Sequence, residues 1–133
     1  MLVRMFREAV ETKDMTAVDA LLAEDVVFRS PVAHTPYPGK AMTSAILRAV
    51  VEVFEDFRYV RQLQDGREEA YVFEATVDGL EITGCDFLTF DEDGKITEFM
   101  VMTRPLKASQ ALASRMAERF EGIKAAASDS HAD

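Results

Sequence analysis

The sequence predicts a single α+β domain in which helices come first and a meander of strands follows. Apolar residues recur at helical spacing through most of the first 54 residues. Three Asp-Gly pairs, at 65–66, 78–79 and 93–94, then separate segments of alternating apolar and polar residues. With 133 residues, the chain has the size of one domain that buries a real core.

Three helices are predicted in the first part of the chain. The first covers residues 2–13, and its apolar stripe consists of Leu2, Met5, Phe6, Ala9 and Val10. The second opens at Thr16, because Thr16 and Asp19 resemble a capping pair. The third runs from about Lys40 to Phe54.

A short strand and a loop are expected between the second and third helices. Residues Val26–Ser30 read as the strand. The segment Pro31–Gly39 contains three of the four prolines, so it is predicted to be a loop.

Four consecutive strands are predicted at 57–64, 69–78, 80–90 and 95–104. Asp-Gly pairs favour tight hairpins, which need positive φ in the turn, so the strands should form an antiparallel meander. Pro105 ends the sheet and suits the first turn of a final helix. The domain is expected to span residues 1–122, with a frayed tail over 123–133.

Composition excludes several classes of function. The formal charge is −9 without a basic cluster, which disfavours binding to nucleic acid or to anionic lipid. No apolar stretch approaches the roughly 20 residues that span a bilayer. Cys85 is the only cysteine, which fits a reducing, cytoplasmic compartment. The two histidines and this cysteine show no spacing typical of a transition-metal site, and no cofactor is expected.

Asp86 is the most informative residue of the chain. It lies on a predicted strand whose same-face residues are otherwise apolar or small: Leu80, Ile82, Gly84, Leu88 and Phe90. A buried carboxylate is costly unless it is paired, hydrogen-bonded or protonated. Asp86 is therefore either a structural group bonded to backbone, Tyr or Arg, or a carboxyl that works in a pocket. An apolar pocket would raise its pKa, whereas contact with Arg104 would lower it.

The proline-rich loop supplies further candidates for a site. His34 is a candidate catalytic residue because imidazole titrates near neutrality, although a solvated loop histidine is the alternative. Tyr37, between two prolines, either closes the pocket mouth or anchors the loop. Ser30 either hydrogen-bonds a ligand or shapes the end of the strand. Tyr59 and Tyr71 are read as ordinary sheet residues.

The order of elements over residues 2–106 resembles the nuclear-transport-factor-2-like superfamily, and within it the SnoaL-like and ketosteroid-isomerase-like branch. Four segments carry this resemblance: AEDVVFRSPV, YPGKAMTSAIL, VFEDFRY and GCDFLTFDEDGKITEFMVM. The resemblance implies a cone-shaped fold with helices packed on a curved, mostly antiparallel sheet, which encloses a cavity for a hydrophobic small molecule. It says less about the reaction, because one fold hosts many activities.

Ketosteroid isomerases bind an oxyanion with a Tyr and a protonated Asp, and use a second Asp as base. Asp86 matches the oxyanion Asp, four residues before the Phe of a Phe-Asp-Glu-X-Gly turn. Ser30 stands where the base is expected, and Phe6 stands where the Tyr is expected. Neither can replace the missing group, so isomerisation by that mechanism is not expected. The Asp-Arg-Asp set of limonene epoxide hydrolases is not identified either.

The resemblance and the strand alternation together give a predicted ligand-contacting set. Its members are Phe6, Val10, Phe28, Ser30, Tyr37, Ile82, Phe99, Val101 and Thr103. The expected function is binding of a hydrophobic carbonyl compound by a SnoaL-like domain, with isomerase, cyclase, lyase or hydrolase activity that uses Asp86 as acid/base and His34 or Ser30 as helper. The alternative is a non-catalytic ligand-binding or dimerisation module.

The outer face of the sheet is predicted to form a homodimer. Met100, Met102 and Arg104 share one face of the last strand, with Val72 or Phe73 nearby. Such a methionine-rich surface is too apolar to leave in water, and a two-fold interface between sheets would cover it. Association with a different protein through this face is the alternative.

Overall fold

A computed structural model describes residues 2–132, with side chains from Met5 to Ser128. Its helices are α1 (Leu2–Glu11), α2 (Met15–Leu21), α3 (Lys40–Val53) and α4 (Leu106–Ala132). Its strands are β1 (Leu22–Arg29), β2 (Tyr37–Pro38), β3 (Glu55–Asp65), β4 (Glu68–Val77), β5 (Leu80–Phe90) and β6 (Ile96–Arg104).

The strands form one mixed sheet in the order β2-β1-β6-β5-β4-β3. The strands β3 to β6 are an antiparallel meander, as the Asp-Gly pairs predict, while β1 runs parallel to β6. The predicted α+β fold class is confirmed. The helices cover one face of the curved sheet, and the apolar core lies between the two layers.

The turns of the meander follow from local chemistry. Asp78 and Gly79 have φ of 51° and 77°, the left-handed pair that a two-residue hairpin requires. In the turn after β5, Asp91 Oδ1 accepts hydrogen bonds from the backbone N–H groups of Asp93 and Lys95, both at 2.9 Å. These contacts fix which residues of β4, β5 and β6 lie opposite one another.

Two boundaries differ from the sequence prediction. The helix α2 is capped by Asp14, whose Oδ1 accepts a hydrogen bond from the Ala17 N–H at 3.2 Å, so Thr16 is not the cap. The predicted loop also contains β2, which pairs its Tyr37 with Phe28 of β1. The proline content predicted a loop without strands, and a strand of only two residues leaves no alternation by which the sequence could reveal it.

The C-terminal part differs as well. The helix α4 continues to Ala132, where a frayed tail was predicted from residue 123. Ile123 and Ala127 lie four positions apart and are 5% and 8% exposed, so they extend the apolar stripe of the helix onto the body. An ion pair between Arg119 and Glu52, at 3.2 Å, links α4 to the end of α3. None of the helices in the described part of the chain has the length and apolar character needed to cross a bilayer.

Candidate functional site

A cavity of about 620 Å³ lies between the concave face of the sheet and the helices. Its wall is largely apolar, with Phe6 and Val10 from α1, Phe28 from β1, and Phe99 and Val101 from β6. The helix α4 closes one side with two apolar side chains, Leu112 and Met116. The volume falls in the range typical of small-molecule sites.

Asp86 of β5 is the buried carboxyl group of this wall. The Tyr59 hydroxyl of β3 donates a hydrogen bond of 2.6 Å to its Oδ2. The two side chains are 6% and 4% exposed. Asp86 Oδ1 has no hydrogen-bond partner among the residues that the structure describes. One oxygen is therefore held by the protein, while the other is available to a ligand.

Burial dominates the electrostatics of the pair. It raises the pKa of Asp86 from 3.8 to about 7, and the hydrogen bond from Tyr59 opposes part of that rise. The pKa of Tyr59 is raised well above its usual value, first by burial and then by the charge of Asp86. Tyr59 therefore stays a donor at neutral pH, while Asp86 exists in both protonation states.

The structure brings seven of the predicted site residues to the cavity. They are Phe6, Val10, Phe28, Ser30, Asp86, Phe99 and Val101. The Oγ of Ser30 accepts a hydrogen bond from the Val32 N–H at 3.1 Å, so its strand-end role is present. Its own O–H finds no acceptor among the described residues, which leaves a donor at the cavity wall.

Four predicted site residues lie elsewhere. His34 is exposed and does not line the cavity, because the loop runs along the sheet edge once β2 has paired with β1. Tyr37 packs against α4, with its ring 6.5 Å from that of Phe120. Ile82 is buried in the core away from the cavity. The Thr103 hydroxyl shares a 2.7 Å hydrogen bond with Ser109 at the start of α4.

Sequence reasoning missed Tyr59 as the partner of Asp86. Tyr59 lies opposite Phe73 on β4, and Tyr71 of β4 lies opposite Asp86 on β5. To place Tyr59 beside Asp86, the registers of both the β3–β4 and the β4–β5 pairing must be known. The strand β3 also contains a register shift, which the alternation of apolar and polar residues does not reveal. The available signal was the shared face of Phe57 and Tyr59, which places the phenol on the inner side.

The junction between α3 and β3 was missed as well. It supplies two aromatic wall residues, Phe54 and Phe57, whose rings stack with centroids 5.7 Å apart. It also supplies exposed acidic residues at the mouth of the cavity. In the described part of the chain, no three His, Cys, Asp or Glu side chains come together as a metal site.

Comparisons with known proteins agree with this geometry. The model of a SnoaL-like domain matches residues 3–99. The chain is 42% identical to a steroid delta-isomerase from Pseudomonas aeruginosa, with a TM-score of 0.87, covering 94% of this chain and 93% of that one. No curated protein matches.

Two further structures extend the comparison. An uncharacterized protein with a cystatin-like fold from Silicibacter pomeroyi is 34% identical, with a TM-score of 0.85, covering 94% of this chain and 93% of the other. An LEH-like epoxide hydrolase from M. tuberculosis is 21% identical, with a TM-score of 0.61 and coverage of 87% and 90%, so it shares the fold alone. These matches confirm the predicted superfamily and its cone-shaped fold.

Proposed function

The chain belongs to the family of SnoaL-like domains, and we propose that it is a cofactor-independent enzyme that moves a proton on a hydrophobic carbonyl compound. Asp86 is the acid/base group of this proposal. The main support for this role is that Asp86 is a buried carboxyl in an apolar wall. Its Oδ2 accepts a hydrogen bond from Tyr59, and its Oδ1 has no partner among the described residues. A carboxyl with a pKa near the working pH is suited to proton transfer in both directions.

The proposed reaction converts a β,γ-unsaturated ketone into its conjugated isomer. Ionised Asp86 removes a proton from the carbon beside the carbonyl, and an O–H bond forms at Oδ1. The C–H electron pair becomes part of a conjugated dienolate, whose charge rests mainly on the former carbonyl oxygen. Return of the same proton to the far end of the dienolate gives the conjugated ketone. Substrate and product are isomers, so the step needs no co-reactant.

Two hydroxyl groups of the cavity wall assist in the proposed reaction. Tyr59 stabilises the ionised carboxylate through its bond to Oδ2, and thereby leaves Oδ1 for the substrate. Ser30 offers its O–H to the substrate from the cavity wall. The name of the Pseudomonas relative, a steroid delta-isomerase, supports double-bond isomerisation as the first reaction to assay. His34 has no place in this scheme, because it does not line the cavity.

The direct test is an isomerisation assay on steroidal and non-steroidal β,γ-unsaturated ketones, followed by the absorbance of the conjugated product. Because the base must be ionised, kcat/KM should rise with pH through about 7 and then level. A rate that falls through the same range would assign Asp86 the role of an acid instead. Absence of turnover with every ketone of the panel would contradict the enzymatic proposal.

The Tyr59→Phe variant tests the partner of Asp86. Loss of the phenol removes the hydrogen bond that lowers the pKa of Asp86, so the pKa should rise further. At pH 7 less of the carboxyl is then ionised, and kcat/KM should fall roughly 3- to 10-fold. The difference from the wild type should shrink at pH 9, where both proteins are ionised. A pH profile that does not move would show that Tyr59 only fills space.

A non-catalytic ligand-binding module is the second candidate. It is favoured by the composition of the wall, because Asp86 is the one buried carboxyl among the described residues that line the cavity, and His34 lies outside it. Saturable binding of a hydrophobic ketone without conversion would support this candidate.

We further propose that the outer face of the sheet forms a homodimer. Val72, Cys85 and Met102 lie side by side across β4, β5 and β6, and Phe87 pairs with Met100 in the next row. The side chains of Met102 and Phe87 are 53% and 38% exposed. A continuous apolar surface that is exposed to water to this extent is typical of a protein–protein interface. A second copy applied to the same surface would bury it on both partners.

The Met102→Glu variant tests this interface. A carboxylate at the centre of a two-fold interface meets its own copy, and both would lose water on association. We expect light scattering to show a dimer for the wild type and a monomer for the variant. Leu106→Glu is the matched control, because Leu106 is 74% exposed at the start of α4 and off the sheet. A monomeric wild type would rule out the dimer.

A further inference from the structure

The mouth of the cavity is acidic. The exposed charged residues that line it, within the described part of the chain, are Glu11, Glu52, Glu55, Asp56 and Lys13. Four carboxylates therefore face a single ammonium group. They come from the end of α1, the end of α3 and the start of β3, so separate elements place them around one opening.

Within the described part of the chain, two of these carboxylates are neutralised locally, and two are not. Glu11 forms an ion pair with Arg7 at 3.2 Å, and Glu52 forms one with Arg119 at 3.2 Å. The carboxylates of Glu55 and Asp56 have no ion-pair partner among the described residues. The guanidinium group that approaches Asp56 is that of Arg58, and it donates to the backbone carbonyl at 2.9 Å.

Among the described residues, the interior of the cavity offers an anion no ion-pair partner, and its hydroxyl donors are those of Ser30 and Tyr59. The buried part of the wall is apolar except for Asp86, whose Oδ1 has no partner among the described residues, and the Tyr59 hydroxyl, which is bonded to Asp86 Oδ2. No lysine or arginine is buried among the described residues that line the cavity. A negatively charged ligand would thus pass two unpaired carboxylates, lose water, and meet a third carboxyl inside.

We propose that this cavity selects uncharged or cationic hydrophobic carbonyl compounds and rejects those that carry a carboxylate or phosphate. The selection rests on the proposed function, since it concerns the ligand of the same site. Glu55 and Asp56 are its specificity-determining residues. Because they are exposed, each contributes modestly, and an anionic analogue should bind about tenfold more weakly than a neutral one at low salt. Near 1 M salt, where the Debye length is about 3 Å, this difference should largely disappear.

The experiment uses three ketones with one hydrophobic body and different tails: a methyl ester, a carboxylate and an ammonium group. Calorimetry gives their dissociation constants for the wild type and for the double variant Glu55→Gln and Asp56→Asn. Asparagine suits position 56, because the backbone there has φ of 54° and asparagine tolerates that conformation. The double variant should bind the carboxylate several-fold more tightly, while ester binding changes little.

The matched control is Glu92→Gln with Asp93→Asn, which removes two charges from the turn after β5, away from the cavity lining. Equal affinity of ester and carboxylate for the wild type at low salt would overturn the selection. An equal gain in affinity for the carboxylate ketone in the Glu55/Asp56 double variant and in the control variant would overturn it as well. Turnover of the ester by the wild type is measured separately, so a failure of the charge selection is distinguishable from a failure of the proposed enzyme.

Discussion

The Asp86→Asn variant should lose about 10²- to 10⁴-fold in kcat/KM towards a β,γ-unsaturated ketone, because it removes the proposed acid/base group of the cavity. The amide keeps the size of the carboxyl and still accepts a hydrogen bond from Tyr59, so the cavity should keep its shape. Ligand affinity is therefore expected to stay within several-fold of the wild type. Steady-state kinetics and calorimetry on the same ketone measure the two quantities.

A stability measurement distinguishes a chemical role from misfolding. The pKa of Asp86 is about 7 in the folded protein, above the 3.8 of a free aspartic acid, so the folded state holds this proton more tightly. The stabilisation is complete below about pH 4 and is lost as the pH rises through about 7. Asp86→Asn should thus gain stability relative to the wild type between pH 4 and pH 8. An active, equally stable variant would remove Asp86 from the mechanism.

Gly84→Ala should destabilise the fold by about 1–3 kcal/mol, the usual cost of an overpacked core. A Cβ at this position of β5 would lie 2.6 Å from Cε2 of Phe73 and 2.8 Å from the backbone carbonyl oxygen of Met102. The backbone cannot give way without breaking the sheet, so the Phe73 ring must move. Because Phe73 lines the cavity, the ligand site should shrink as well.

Denaturant unfolding measures this effect, with Gly122→Ala as the control. Gly122 lies in α4, and an added Cβ there meets nothing within 4 Å. Alanine is the better helix former by about 0.5–1 kcal/mol, so the control should be neutral or more stable. An unchanged unfolding midpoint for Gly84→Ala would show that the Phe73 ring is not held as tightly as the contacts indicate.

Local patterns predicted the architecture because they set the local conformation directly. The Asp-Gly pairs fix the hairpins through positive φ, as Asp78 and Gly79 show. The alternation along β5 placed Asp86 on the inner face, where it is buried. The hydrogen bond between Tyr59 and Asp86 could not be predicted from local patterns. It depends on two strand pairings, β3 with β4 and β4 with β5, and on a register shift in β3.

The position of His34 could not be predicted for a different reason. The path of its loop depends on the pairing of Tyr37 with Phe28, a contact of two residues with no pattern of its own. The helical continuation past residue 122 was not predicted, although Ile123 and Ala127 keep the apolar spacing of a helix face. Each of these differences involves a tertiary contact that the local sequence pattern does not reveal.

Titration of the Asp86 carboxyl carbon by NMR shows directly whether this carboxyl exchanges a proton near neutral pH, with Asp86→Asn assigning the resonance. The burial of Asp86 in an apolar wall predicts a midpoint near 7. It also predicts that a bound neutral ketone perturbs this signal, because Asp86 lines the cavity and its Oδ1 has no hydrogen-bond partner among the described residues. A midpoint at or below the 3.8 of a free aspartic acid would exclude Asp86 as the acid/base group, since it would then be a solvated or ion-paired residue without a proton to exchange at neutral pH.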